Sequence, residues 1–155
     1  MRRLVKLFFT LVAMFCLISC EGNRVDPRDA FVGEYSFAAS GSVDLYMGAT
    51  KLYTVPLDET GTFTITKAEE EGEVLIIGYN DTIHASVSGK HLLFESTTTN
   101  YEYEGVKLQM TFVYGKATLE ENQLHWNTDV QATGSYGAFS ASGTGQIAVV
   151  ATKRE

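Results

Sequence analysis

The side chains that could do chemistry in this chain are few: three histidines, an acidic cluster and two runs of serine and glycine. His84 and His91 flank Ser88-Gly89. A tight turn there pairs two strands with Ser86 opposite His91 and His84 opposite Leu93. Both imidazoles then sit diagonally on one face, a spacing from which a metal site can begin. The other face of this hairpin carries Ile83, Ala85, Val87, Leu92 and Phe94 and must be the core side. Both histidines are therefore expected to point to solvent with no third ligand, and no metal is expected. His125 alternates outward beside Asn127. Glu69-Glu70-Glu71 with Glu73 lacks the alternating oxygen ligands of a calcium loop and reads as a solvated turn. Gly134-Ser135-Tyr136-Gly137 misses the Gly-x-Ser-x-Gly spacing of a nucleophile elbow, and Ser140 to Gly145 lacks the Lys-Ser/Thr of a phosphate loop. The chain is expected to be no enzyme and to use no cofactor.

Cys20 carries the one clear chemical signature. It ends Leu17-Ile18-Ser19-Cys20 after a positive segment (Arg2, Arg3, Lys6) and an apolar run from Leu7 to Ile18 broken only by Thr10. That run is about a dozen residues, whereas a spanning helix needs roughly twenty, so it reads as a signal-peptide core. With a small residue before the cysteine and Leu17 three before it, the segment resembles the lipobox of bacterial lipoproteins. The resemblance implies cleavage before Cys20 and acylation of its sulfur. One acyl chain anchors only marginally, at about 0.8 kcal/mol per buried methylene, so several chains are needed for stable attachment. Cys16 would leave with the signal, and no free thiol would remain for a disulfide, a zinc site or a nucleophile. The expected division is a signal peptide over 1–19, a lipidated cysteine and polar tether over 20–29, and one β-barrel domain over 30–155.

Cleavage removes three cationic residues and takes the formal net charge from −7 to −10. So acidic a domain repels nucleic-acid phosphates and anionic head groups, which excludes nucleic acid as a partner and leaves the lipid anchor as the membrane contact. The tether from Glu21 to Asp29 spans at most roughly 30 Å, so the domain sits close to its membrane.

The elements behind these residues are almost all strands. Asp26-Pro27-Arg28-Asp29 reads as one helical turn with Asp26 as its cap. Alternation then persists to the end of the chain, punctuated by turn residues. Phe31, Gly33, Tyr35 and Phe37 share one face of a first strand that Gly41 is expected to end. A second stretch runs from Val43 to Leu57, with a possible break at Gly48. Asp58 to Gly61 reads as a turn before Phe63 and Ile65. Val74 to Ile77 is apolar on both faces and is expected to be covered on both. Leu108, Met110, Phe112 and Tyr114 form one inner row, and Leu124, Trp126, Thr128, Val130 and Ala132 another, with Trp126 inside. A loop rich in Gly and Ser is then expected before Ile147, Val149 and Ala151. The expected fold is all-β, a single antiparallel meander barrel of about 8–10 strands.

The pattern resembles the small lipocalin-like, calycin-type β-barrel lipoproteins of Bacteroidetes. In calycins a helical turn precedes Gly-x-Trp, and a basic residue in the last strand packs on that ring. Here Gly33-Glu34-Tyr35 follows the Asp26 turn and Lys153-Arg154 close the last strand, with tyrosine in place of tryptophan. The resemblance implies a cell-envelope location, lipid-anchored at the outer membrane on its periplasmic face or at the cell surface. Inward rows of large apolar residues favour a filled barrel. A meander gathers Tyr79, Tyr101, Tyr103 and Tyr136 into connections at one end, away from the acidic turns. Tyrosine gives contact area at low entropic cost, so these four are the expected ligand-binding residues, for a small molecule or a glycan. The competing expectation is a structural or accessory subunit of an envelope protein complex, with no small ligand.

Overall fold

The computed structural model describes residues 25–78, 81–113, 115–136 and 139–155, with the backbone alone at 136 and 139. Cys20 and the segment expected to be a signal peptide lie outside the described residues, as do Tyr79 and Tyr114. A 3-10 turn, Pro27–Ala30, opens the described chain, and eleven strands follow. They are β1 Gly33–Met47, β2 Thr50–Pro56, β3 Glu59–Lys67, β4 Glu73–Ile77, β5 Thr82–Ser88, β6 His91–Phe94, β7 Thr97–Tyr103, β8 Val106–Phe112, β9 Gly115–Glu120, β10 Gln123–Tyr136 and β11 Phe139–Lys153.

Eight of them close an antiparallel barrel in the order β1, β3, β4, β5, β6, β9, β10, β11, with β11 returning to β1. The expected all-β barrel is therefore present, with the connections of a meander. The remaining three strands form an extension the sequence did not announce. β1, β10 and β11 are 15, 14 and 15 residues long, about twice what the barrel wall uses. Their far halves continue as a six-stranded wing, β2-β1-β11-β10-β8-β7.

Two turn assignments shift as a result. Gly41 does not end β1; it lies mid-strand opposite Ile147, where a Cβ would run into the Gln146 carbonyl oxygen, so only glycine lets the two backbones approach so closely. The chain reverses at Gly48 instead. Gly61 is likewise a strand residue opposite Phe37, and the reversal before it is at Leu57-Asp58. The β5–β6 hairpin turns through Gly89-Lys90, with Gly89 at φ +59°, so Ser88 faces His91 and Ser86 faces Leu93. That is two residues away from the expected pairing, which leaves inside and outside unchanged. β4 is not covered on its outer face. Val74 is buried, but Ile77 is 40% exposed, because among the described residues the barrel is a single layer with nothing packed around it there.

The core is in two parts. Inside the barrel, Phe31, Tyr35, Ile65, Val74, Leu92 and Leu124 are fully buried or nearly so. Inside the wing, Val43, Leu45 and Val55 from one flank meet Val106, Leu108 and Met110 from the other. Between the flanks the inward positions of β11 are Gly143 and Gly145, opposite Leu45 and Val43, so the two flanks fold toward each other over a floor without side chains. Phe37 and Trp126 pack against both clusters and join them.

Candidate functional site

The barrel interior is filled from the first strand outward. Tyr35 stacks on Phe63 with ring centroids 5.3 Å apart, and Phe63 and Phe94 meet the edge of Trp126 at 6.4 and 5.9 Å. Trp126 therefore lies on the inner face, as its alternation requires, and is half-buried at the junction of the two clusters. Burial pushes the Tyr35 phenol up to about 12, and its hydroxyl donates to the Phe31 carbonyl at 2.8 Å. Lys153 faces Tyr35 in register; its chain passes over Gly33, and its Nζ donates to the Ala30 carbonyl at 3.4 Å. The opening turn is thereby locked over one end of the barrel.

That end carries the acidic turns. Asp26 accepts from the Arg28 backbone N–H at 3.0 Å and from its guanidinium at 2.8 Å, and Lys67 Nζ lies 3.0 Å away. Hydrogen bonds from the Arg28 side chain and backbone hold the Asp26 carboxyl well below the usual carboxylate range. Arg28 in turn donates to the Ala68 and Glu70 carbonyls, tying the turn to the β3–β4 connection.

The histidines separate. His84 is exposed and lies 3.7 Å from Glu73, not beside His91. Among the described residues, Glu70, Glu73 and His84 bring their ligand atoms within 4.8 Å of one another, a grouping the hairpin pattern did not suggest because Glu70 and Glu73 come from the neighbouring β3–β4 turn and β4. His91 instead meets the Thr118 hydroxyl at 3.1 Å, and partial desolvation together with Lys116 and Lys90 lowers its pKa.

The open space is at the other end, on the wing. A cleft of about 840 Å³ is lined by Tyr46, Tyr101, Lys107, Gln109, Thr133 and Ser142, among others. One register row crosses its floor on the outer face: Tyr46, Ser142, Thr133, Gln109 and Asn100 are successive partners on β1, β11, β10, β8 and β7. A second cleft of about 610 Å³ follows on the same face, between Ser42, Gln146, Asp129 and Gln131. There the Gln146 amide donates to the Asp129 carboxylate at 2.8 Å. The linings are hydroxyls and amides, groups that both donate and accept.

Of the four expected tyrosines, Tyr101 lines the larger cleft and is 40% exposed. Tyr101 and Tyr103 are not loop residues. They share the inner face of β7, and Tyr103 is half-buried against the wing cluster. Tyr136 has its backbone paired with Phe139 at the same end of the wing. Tyr79 lies outside the described residues. Tyr46 and the outward Ser/Thr/Gln positions of β10 and β11 are not among the expected residues. Their signal was there, in polar positions of two long strands that carry almost no charge.

No family model matches the sequence, and no curated protein matches it. Among solved structures the chain is similar to the ywiB protein from Bacillus subtilis, at 10% identity over 79% of this chain and 94% of that chain, with a TM-score of 0.35.

Proposed function

We propose that this chain is a lipid-anchored, non-enzymatic envelope protein that binds a small molecule or glycan at the end of the molecule remote from its anchor. The observation that carries the reading is the 840 Å³ cleft on the wing. The chain enters the barrel through the Asp26 turn at the opposite end, only six residues after Cys20, so an anchor there holds the wing out from the membrane. Among the described residues that line the cleft, the titratable side chains are Tyr46, Tyr101, Glu102 and Lys107, with no histidine among them. Tyr46→Ala, at an exposed position on the outer face, is expected to abolish ligand capture while the melting temperature stays put. Capture unchanged in this variant would remove the cleft from consideration.

One observation favours the accessory-subunit reading. β7 ends the sheet order, is exposed almost throughout and carries neither lysine nor proline, whereas β2, at the other edge, is blunted by Lys51 and Pro56. An unblunted edge is a template for another strand. Purification from native membranes, with identification of any co-purifying protein, tests it; a strand partner would be lost on Thr99→Pro.

A further inference from the structure

We infer that the two wing clefts form one track for an elongated, neutral polyhydroxylated chain, running along β10 and β11. The inference rests on the ligand-binding reading above and extends it to a ligand class and direction. The clefts occupy consecutive register rows with none between: Thr144 and Gln131 line the smaller, and Ser142 and Thr133, the next outward pair, line the larger. From Ser140 to Gln146 the track covers six residue steps, about 20 Å at the rise of an antiparallel strand.

The floor is low for a reason in the sequence. Outward positions of β11 from Ser140 to Thr144 are Ser, Ser and Thr, while Tyr46 on one side and Lys107 and Gln109 on the other stand taller. The inward residues beneath, Gly143 and Gly145, let β1 and β11 approach so closely that a Cβ on either would strike the carbonyl oxygen of Asp44 or Ser42.

The chemistry selects the ligand. Along the outward positions of β10 and β11 the one charged side chain is Asp129, and Gln146 already engages it. Hydroxyls and amides cost far less to desolvate than charges, and they match a partner that presents donors and acceptors along its length. A polyanion is disfavoured because the larger cleft offers a single lysine in a chain of net charge −7. An apolar ligand would leave the row of hydroxyls unsatisfied. Tyr46, 38% exposed at the flank, offers a ring face to the C–H side of a sugar.

The test uses the full-length lipidated protein in a non-glycosidic detergent. An array of neutral glycans is screened, and an oligomer series of each captured glycan, from disaccharide to octasaccharide, is titrated calorimetrically. Affinity is expected to rise about tenfold or more with length and then level off, and Thr144→Lys, at the boundary between the clefts, should remove that gain. Equal affinity at every length, with binding still lost in Tyr46→Ala, would overturn the track and leave the single-cleft reading standing. Capture of no neutral glycan would overturn the ligand class, and capture of a non-glycan small molecule lost in Tyr46→Ala would still support the cleft.

Discussion

Trp126 and Asp26 show how single side chains act in this molecule. Trp126 meets Phe63 and Phe94 edge-on and packs against both clusters. Trp126→Ala should cost about 3 kcal/mol, the lower end for a large aromatic because the ring is only half-buried. Iodide should quench its fluorescence less than that of a free indole; quenching as efficient as free indole's would place the ring outside. Asp26 titrates far below its ordinary value of 3.8 because Arg28 and Lys67 bind its charged form. A carboxyl depressed on folding contributes stability that is fully present above its unfolded pKa and is lost as the pH falls. The melting temperature of Asp26→Asn should therefore lie below wild type at neutral pH, and the gap should begin to narrow below about pH 4 and go on closing as the pH falls further. A gap that is constant with pH would show that the clamp does not depend on charge.

At the scale of the element, the long strands decide the architecture. β11 has to pair with β1 and β10 over nearly its whole length, and its glycines make the tight approach possible in the wing. Gly145→Val would drive a side chain against the Ser42 carbonyl and the Val43 Cα. The expected cost is about 1–3 kcal/mol from overpacking, with loss of ligand capture at the cleft above it. A stable variant with an intact cleft would mean that β11 can shift away from β1 there. Alternation was legible in β10 as far as Ala132, including the inward row through Trp126, and in β11 from Ile147. The Gly- and Ser-rich stretch between them reads as a loop, whereas it forms the far halves of both strands, because pairing between distant strands extends them. The two-residue shift of the β5–β6 hairpin was not legible, because Ser88-Gly89 and Gly89-Lys90 are equally good turn dipeptides and either pairing keeps Leu92 inside.

For the whole molecule, the question is whether barrel and wing are one folding unit. Phe37 and Trp126 belong to the packing of both clusters, and β1, β10 and β11 run through both. Denaturant unfolding should therefore be a single transition, with Trp126 fluorescence and β-type circular dichroism coinciding. Two separated transitions would show that the wing melts alone. Cys20→Ala should abolish labelling by a palmitate analogue and release the domain in soluble form. Labelling that persists would remove the anchor, and with it the orientation argued for the wing.

Local chemistry was enough to define several features: strands from the period-two alternation, the Asp26 turn from its cap and proline, an inner face for Trp126, and outward histidines. These follow from steric and hydrophobic preferences acting within a few residues. Register and strand partnership depend on contacts between residues far apart in the chain. That β1 runs through Gly41, that His84 neighbours Glu73, and that Tyr46, Ser142 and Thr133 share one row all follow from which strands pair, and at what offset. Closing the barrel settles this by burying both clusters at once, which no single segment of the sequence can encode.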